Sequence, residues 1–124
     1  MSKASPSVGQ IAITVSDVAK VLPFYRDILG LRFLFSPSPE LAFLMAGEAR
    51  LMLSTSQGHT AIGANSILYF KVSEVEATQA DMVSRGAALE RAPQLTARMP
   101  DHELWIGFLR DPDGNLVGLM EEKR

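Results

Sequence analysis

The feature that most limits how this chain can fold is a short pattern that occurs twice. Val15-Ser16-Asp17-Val18 and Val72-Ser73-Glu74-Val75 each carry a strand-like run into a helix-like one. Set in register, they bring Glu40-Leu41 onto Glu103-Leu104, Leu51-Met52-Leu53 onto Val117-Gly118-Leu119, and Gln10 opposite Ile67. Anchors that recur in the same order are the signature of an internal duplication. With 124 residues to share between two copies, each is one small supersecondary unit and the pair makes one core.

Each copy reads strand, helix, then three strands. From Val8 to Val15, Ile11, Ile13 and Val15 alternate with Gln10, Ala12 and Thr14, the period of a strand with two different faces. Ser16 or Asp17 then caps a helix with Val18, Val21, Leu22, Tyr25, Ile28 and Leu29 on one side, closed by Gly30. Pro23 interrupts it, so the regular helix is expected to begin near that residue, after a looser turn. Apolar runs at 31–36, 41–46 and 50–55 complete a first module over about 8–56. A polar connector, 57–65, leads to a second module over about 66–122.

The second module repeats the plan. A strand over 67–72 runs into Ser73-Glu74-Val75-Glu76, a capping-box pattern that opens a helix ending at Gly86. A short strand around 89–91 is followed by a stretch, 92–101, that reads as a long loop and is expected to lid a cavity. Strands over 103–110 and 116–121 then flank Asp111-Pro112-Asp113-Gly114-Asn115, where proline fixes φ and glycine and asparagine tolerate positive φ: a tight reversal.

Composition excludes several functions. The chain has no cysteine, which removes disulfides, thiolate metal sites and cysteine nucleophiles together. A formal net charge of -2 without a Lys/Arg cluster gives no footprint for nucleic acid or an anionic membrane. The first residues are polar, without the apolar core of a signal peptide, so a cytoplasmic location is expected.

The segment 11–17, the helix end Phe24-Tyr25-Arg26-Asp27-Ile28-Leu29-Gly30-Leu31 and the stretch Phe108-Leu109-Arg110-Asp111-Pro112-Asp113-Gly114-Asn115 resemble the vicinal oxygen chelate superfamily. That group includes glyoxalase I, bleomycin-resistance proteins and extradiol dioxygenases. The resemblance implies an α+β fold of two tandem βαβββ modules, an open, mostly antiparallel barrel-like sheet with a concave cavity and helices on the convex face. It also implies a homodimer, in some members with each cavity built from two chains. The family's enzymes hold a divalent metal through one ligand from each of four strands, typically His or Gln, Glu, His and Glu.

Carried over by position, those ligands fall on Gln10, Met52, Ile67 and Gly118. Only Gln10 has a side-chain oxygen, and a thioether suits softer metals, so no cofactor is expected unless ligands are displaced. His59 and His102, the two histidines, read as surface loop residues, and no carboxylate is expected in the cavity. A slip turning Glu121 or Glu122 inward would turn Val117 and Leu119 out.

Alternation from Gln10 assigns the cavity lining. The candidate ligand-binding residues are Gln10, Thr14, Phe43, Arg50, Met52 and Ser54 from the first module. Those from the second are Ile67, Tyr69, Lys71, Ile106, Phe108, Gly118 and Met120. Methionine and aromatic side chains with a few polar groups describe a small-molecule cleft. Three readings follow: a metal-independent protein binding an apolar or aromatic molecule, a glyoxalase-type lyase, isomerase or dioxygenase using displaced ligands or acid-base residues, and a filled barrel serving only as an interaction module. No catalytic residue is assigned.

Overall fold

The computed structural model describes residues 6–55, 62–63 and 65–124, so His59 and most of the connector lie outside the described residues. The first module runs β1 (Gln10–Val15), α1 (Val18–Pro23), a π-helical segment (Phe24–Ile28), β2 (Arg32–Ser38), β3 (Leu41–Ala46) and β4 (Ala49–Thr55). The second runs β5 (Leu68–Lys71), α2 (Val75–Ser84), β6 (Ala88–Arg98), β7 (Glu103–Arg110) and β8 (Leu116–Lys123). The described strands form two sheets of the same order, β1-β4-β3-β2 and β5-β8-β7-β6, each with one parallel pair at its start and antiparallel pairs thereafter. The sheets do not close into a barrel. No helix among the described residues is long and apolar enough to cross a membrane.

Both helices pack on one side of their sheets, because that is where the alternating apolar residues point. Ile13 and Val15 of β1, Leu51 and Leu53 of β4, Val117 and Leu119 of β8, and Val18, Val21, Val75 and Met82 of the helices join one buried cluster spanning both modules. The opposite sheet faces, carrying Gln10, Met52, Tyr69 and Gly118, are left as a lining.

The modules are tied at the turn between β7 and β8. Asp111 is 3% exposed, and its carboxylate accepts bonds from the Tyr25 hydroxyl (2.7 Å), the Asn115 side-chain amide (2.9 Å) and the backbone N–H groups of Asp113 and Asn115 (2.9 and 2.8 Å). Gly114, with φ of 86°, supplies the left-handed step this loop needs. Asp113 accepts from the Ser16 backbone (2.7 Å), and Asn65 joins Thr14 to Asn115. Burial first, then the Asp111 charge, pushes the Tyr25 hydroxyl well above the ordinary tyrosine range, so it stays a donor.

Four local expectations are corrected. The regular helix begins at Val18, capped by Asp17, and Pro23 ends it. The turn after proline widens to π geometry rather than starting the helix. The Ser73–Glu76 capping box does not form: Glu74 sits at φ 48° without a side-chain cap bond, and Glu121 of β8 accepts the Val75 N–H at 2.9 Å instead. Residues 92–98 belong to the 11-residue strand β6 and are not a lid loop. Pro93 fits because β6 is an edge strand, and its register shifts absorb the irregularity. The strand expected over 67–72 begins only at Leu68, which leaves Ile67 before it, 41% exposed.

Candidate functional site

On sheet one, strand register decides which side chains share the lining. Gln10 stands beside Arg50, Ala12 beside Met52 and Thr14 beside Ser54, while Phe43 of β3 lies opposite Met52. These side chains make contact. Arg50 Nε donates to Gln10 Oε1 at 2.6 Å, and Gln10 Nε2 reaches Met52 Sδ at 3.8 Å. The Arg50 guanidinium lies 5.2 Å from the Phe43 ring centre, and Phe43 stacks on Phe35 at 5.1 Å. Thr14 and Ser54 stand at the far end, where the Thr14 backbone is held by Asn65 and Ser54 is buried.

On sheet two, Tyr69 pairs with Gly118, Lys71 with Met120, Phe108 with Gly118 and Ile106 with Met120. The Tyr69 ring lies over Gly118 so closely that a Cβ there would come within 2.5 Å of it. The ring meets Phe108 edge-on at 5.8 Å, and the guanidinium of Arg91 sits 4.9 Å from the other ring centre. Arg91 Nη2 donates to the Ile106 carbonyl at 3.2 Å, whereas Arg91 Nε is buried with no partner among the described residues. At the other end Lys71 pairs with Glu122 at 3.2 Å and holds that carboxyl below the usual carboxylate range. His102 Nδ1 is 2.7 Å from Asp101 and its Nε2 3.9 Å from Glu122.

The candidates therefore gather into two groups: Gln10, Phe43, Arg50 and Met52 on one sheet, Tyr69, Phe108 and Gly118 on the other. Ile106, Lys71 and Met120 extend the second group toward Glu122, and Ile67 stands outside it; against expectation, Glu122 thus shares the face of Gly118 and Met120 without any slip, while Val117 and Leu119 stay buried. Within one chain the two faces stay open: Phe35 is 51% exposed and Tyr69 47%. A cavity of about 440 Å³ lies at the seam of the sheets, where Arg50, Tyr69 and Lys71 meet helix-side residues such as Ile11, Leu51, Leu68 and Met82. The lining expected from sequence did not include Arg91 or Phe35; Asp101 was expected at the end of a lid loop, and His102, expected on the surface, has a side chain only 12% exposed. For Arg91 the signal was the alternation of β6, which Pro93 and the register shifts conceal.

With this architecture and these motifs in place, the chain belongs to the Glyoxalase/Bleomycin resistance protein/Dioxygenase superfamily, matched over residues 7–119. It is 29% identical to YraH of Bacillus subtilis (strain 168), an uncharacterized protein, across 87% of this chain and 92% of that one. Its fold is similar to that of TnmS3, an antibiotic binding protein from Streptomyces sp. CB03234, with a TM-score of 0.77 and 23% identity over 98% of this chain and 100% of that one. It is likewise similar to lactoylglutathione lyase from Agrobacterium tumefaciens, with a TM-score of 0.75 and 21% identity over 95% of each chain.

The family's metal positions can be tested against the side chains that occupy them. The Gln10 oxygen already accepts from the Arg50 cation, Met52 offers only a thioether, Ile67 offers nothing, and the space a side chain at 118 would enter is filled by the Tyr69 ring. A hard divalent ion needs several oxygen or nitrogen donors and no adjacent positive charge. These residues do not fit one.

Proposed function

We propose that this protein is a metal-independent binder of a small apolar or aromatic molecule, held on the lining faces of its sheets. The observation that carries this reading is the cluster of aromatic side chains left open beside a few polar groups. Phe35 stacked on Phe43 and Tyr69 against Phe108 give flat apolar surface, and Gln10, Arg50 and Arg91 supply orienting donors. The antibiotic-binding neighbour supports the same direction.

The protein works as a homodimer whose second copy covers the open faces. Open aromatic faces on both sheets of a single chain support that arrangement, since exposed apolar surface is costly unless a partner or ligand covers it. Elemental analysis of the purified protein and sedimentation velocity test both parts. A metal-free dimer is expected, and stoichiometric zinc, nickel, iron or manganese would sink the metal-independent reading.

One feature favours a second reading, acid-base catalysis. His102, held by Asp101 at 2.7 Å with its other nitrogen toward Glu122, has the base-and-orienter arrangement that proton transfer uses. Loss of a turnover by His102→Gln with ligand affinity kept would establish it.

A further inference from the structure

The charge on the lining faces points to a ligand class. Phe43 and Phe108 occupy equivalent places in the two sheets, each on the strand beside its module's last and opposite Met52 or Gly118; this pairing overturns the expected match of Glu40-Leu41 with Glu103-Leu104, which would set Phe43 against Ile106. Each ring carries a guanidinium, that of Arg50 at 5.2 Å and that of Arg91 at 4.9 Å. The two arginines come from non-equivalent strands, β4 and β6, so the repeat alone does not account for the shared arrangement.

Neither guanidinium is paired with a carboxylate among the described residues. Arg50 rests on the neutral oxygen of Gln10, and Arg91 on a carbonyl, with its Nε unfilled. Nearby carboxylates are already engaged: Glu122 with Lys71, Glu90 with Arg110 and Glu103 with Arg98. A ring holds a guanidinium by its face and leaves the edge donors not used above, the terminal nitrogens of Arg50 and Nη1 of Arg91, to meet an acid.

We propose that the ligand is an aromatic anion, a planar ring system bearing a carboxylate. On either sheet its rings lie against the aromatic side chains, Phe43 on sheet one or Tyr69 and Phe108 on sheet two, and its acid group is taken by the arginine held on that sheet, Arg50 or Arg91. This rests on the reading that the lining faces bind a small molecule, and it adds the sign of the charge and the residues that read it.

Calorimetric titration of the intact protein with benzoate, naphthoate and anthracenecarboxylate, each against its own carboxamide, separates the two ideas. At least one acid is expected to bind about tenfold or more tightly than its amide. Arg50→Met and Arg91→Met are each expected to reduce that preference and the double variant to erase most of it, and Arg98→Met to leave it whole. Equal binding of acids and amides overturns the anion and spares the small-molecule reading, and binding of neither overturns both. A preference kept in the double Arg50→Met, Arg91→Met variant overturns the assignment to these residues. The comparison on the unmodified protein decides the charge even if a variant fails to fold.

Discussion

At the middle of sheet one Met52 stands under a bonded pair, Gln10 and Arg50; at the equivalent point of sheet two Gly118 leaves a gap, and the Tyr69 ring takes it. The strand order and pairing are the same in both sheets. What differs is one side chain at the repeated position and how its neighbours answer it. A duplicated frame fixes where a side chain can point and leaves its chemistry free. The connecting turns differ as well. Between β3 and β4 the chain reverses through Gly47 and Glu48 alone, whereas between β7 and β8 it builds the buried Asp111 network that locks the modules together.

Breaking that second turn is expected to have the largest effect. Asp111→Ala strands the Tyr25 hydroxyl, the Asn115 amide and two backbone donors, and should cost about 3 kcal/mol in urea denaturation. Glu48→Ala, in the plain turn of the first module, should stay within about 0.5 kcal/mol. If the two costs prove equal, the turns are not different in kind.

Next in size is Gly118→Ala. Its Cβ collides with the Tyr69 ring, and the expected loss is about 2 kcal/mol. Adding Tyr69→Ala removes the obstacle, so a double-mutant cycle should be strongly non-additive. Additive costs would show that the ring does not rest on Gly118.

Tyr25→Phe should cost about 1 kcal/mol at neutral pH. It should also change the alkaline limb of stability. Folding raises the Tyr25 pKa, so its contribution is whole below about pH 10, the ordinary value, and declines as pH rises beyond it, where the unfolded chain releases the proton and the folded one keeps it. The variant should lose stability less steeply there, read from melting temperatures at increasing pH. Smallest is Arg50→Met, within about 0.5 kcal/mol because the residue is exposed and bonds a neutral amide; its effect belongs to binding.

Much of this was legible in the sequence, for a definite reason. Period-two alternation fixes strand faces, so Gln10, Arg50, Met52 and Phe43 could be placed together before any coordinates, as could Tyr69, Phe108 and Gly118. What stayed hidden depends on partners distant along the chain. The Ser73–Glu76 pattern fits a capping box locally, yet the cap comes from Glu121, 46 residues from Val75. Pro93 reads as loop chemistry unless one knows that β6 is an edge, and with β6 went Arg91. The buried role of Asp111 was equally invisible, since its turn chemistry alone explains its place.

Native mass spectrometry of the freshly purified protein tests the central claim most directly. The account predicts a dimer without metal that releases an organic compound on denaturation. A divalent ion held one per site, or a monomer that carries nothing and binds no aromatic compound afterwards, would contradict it.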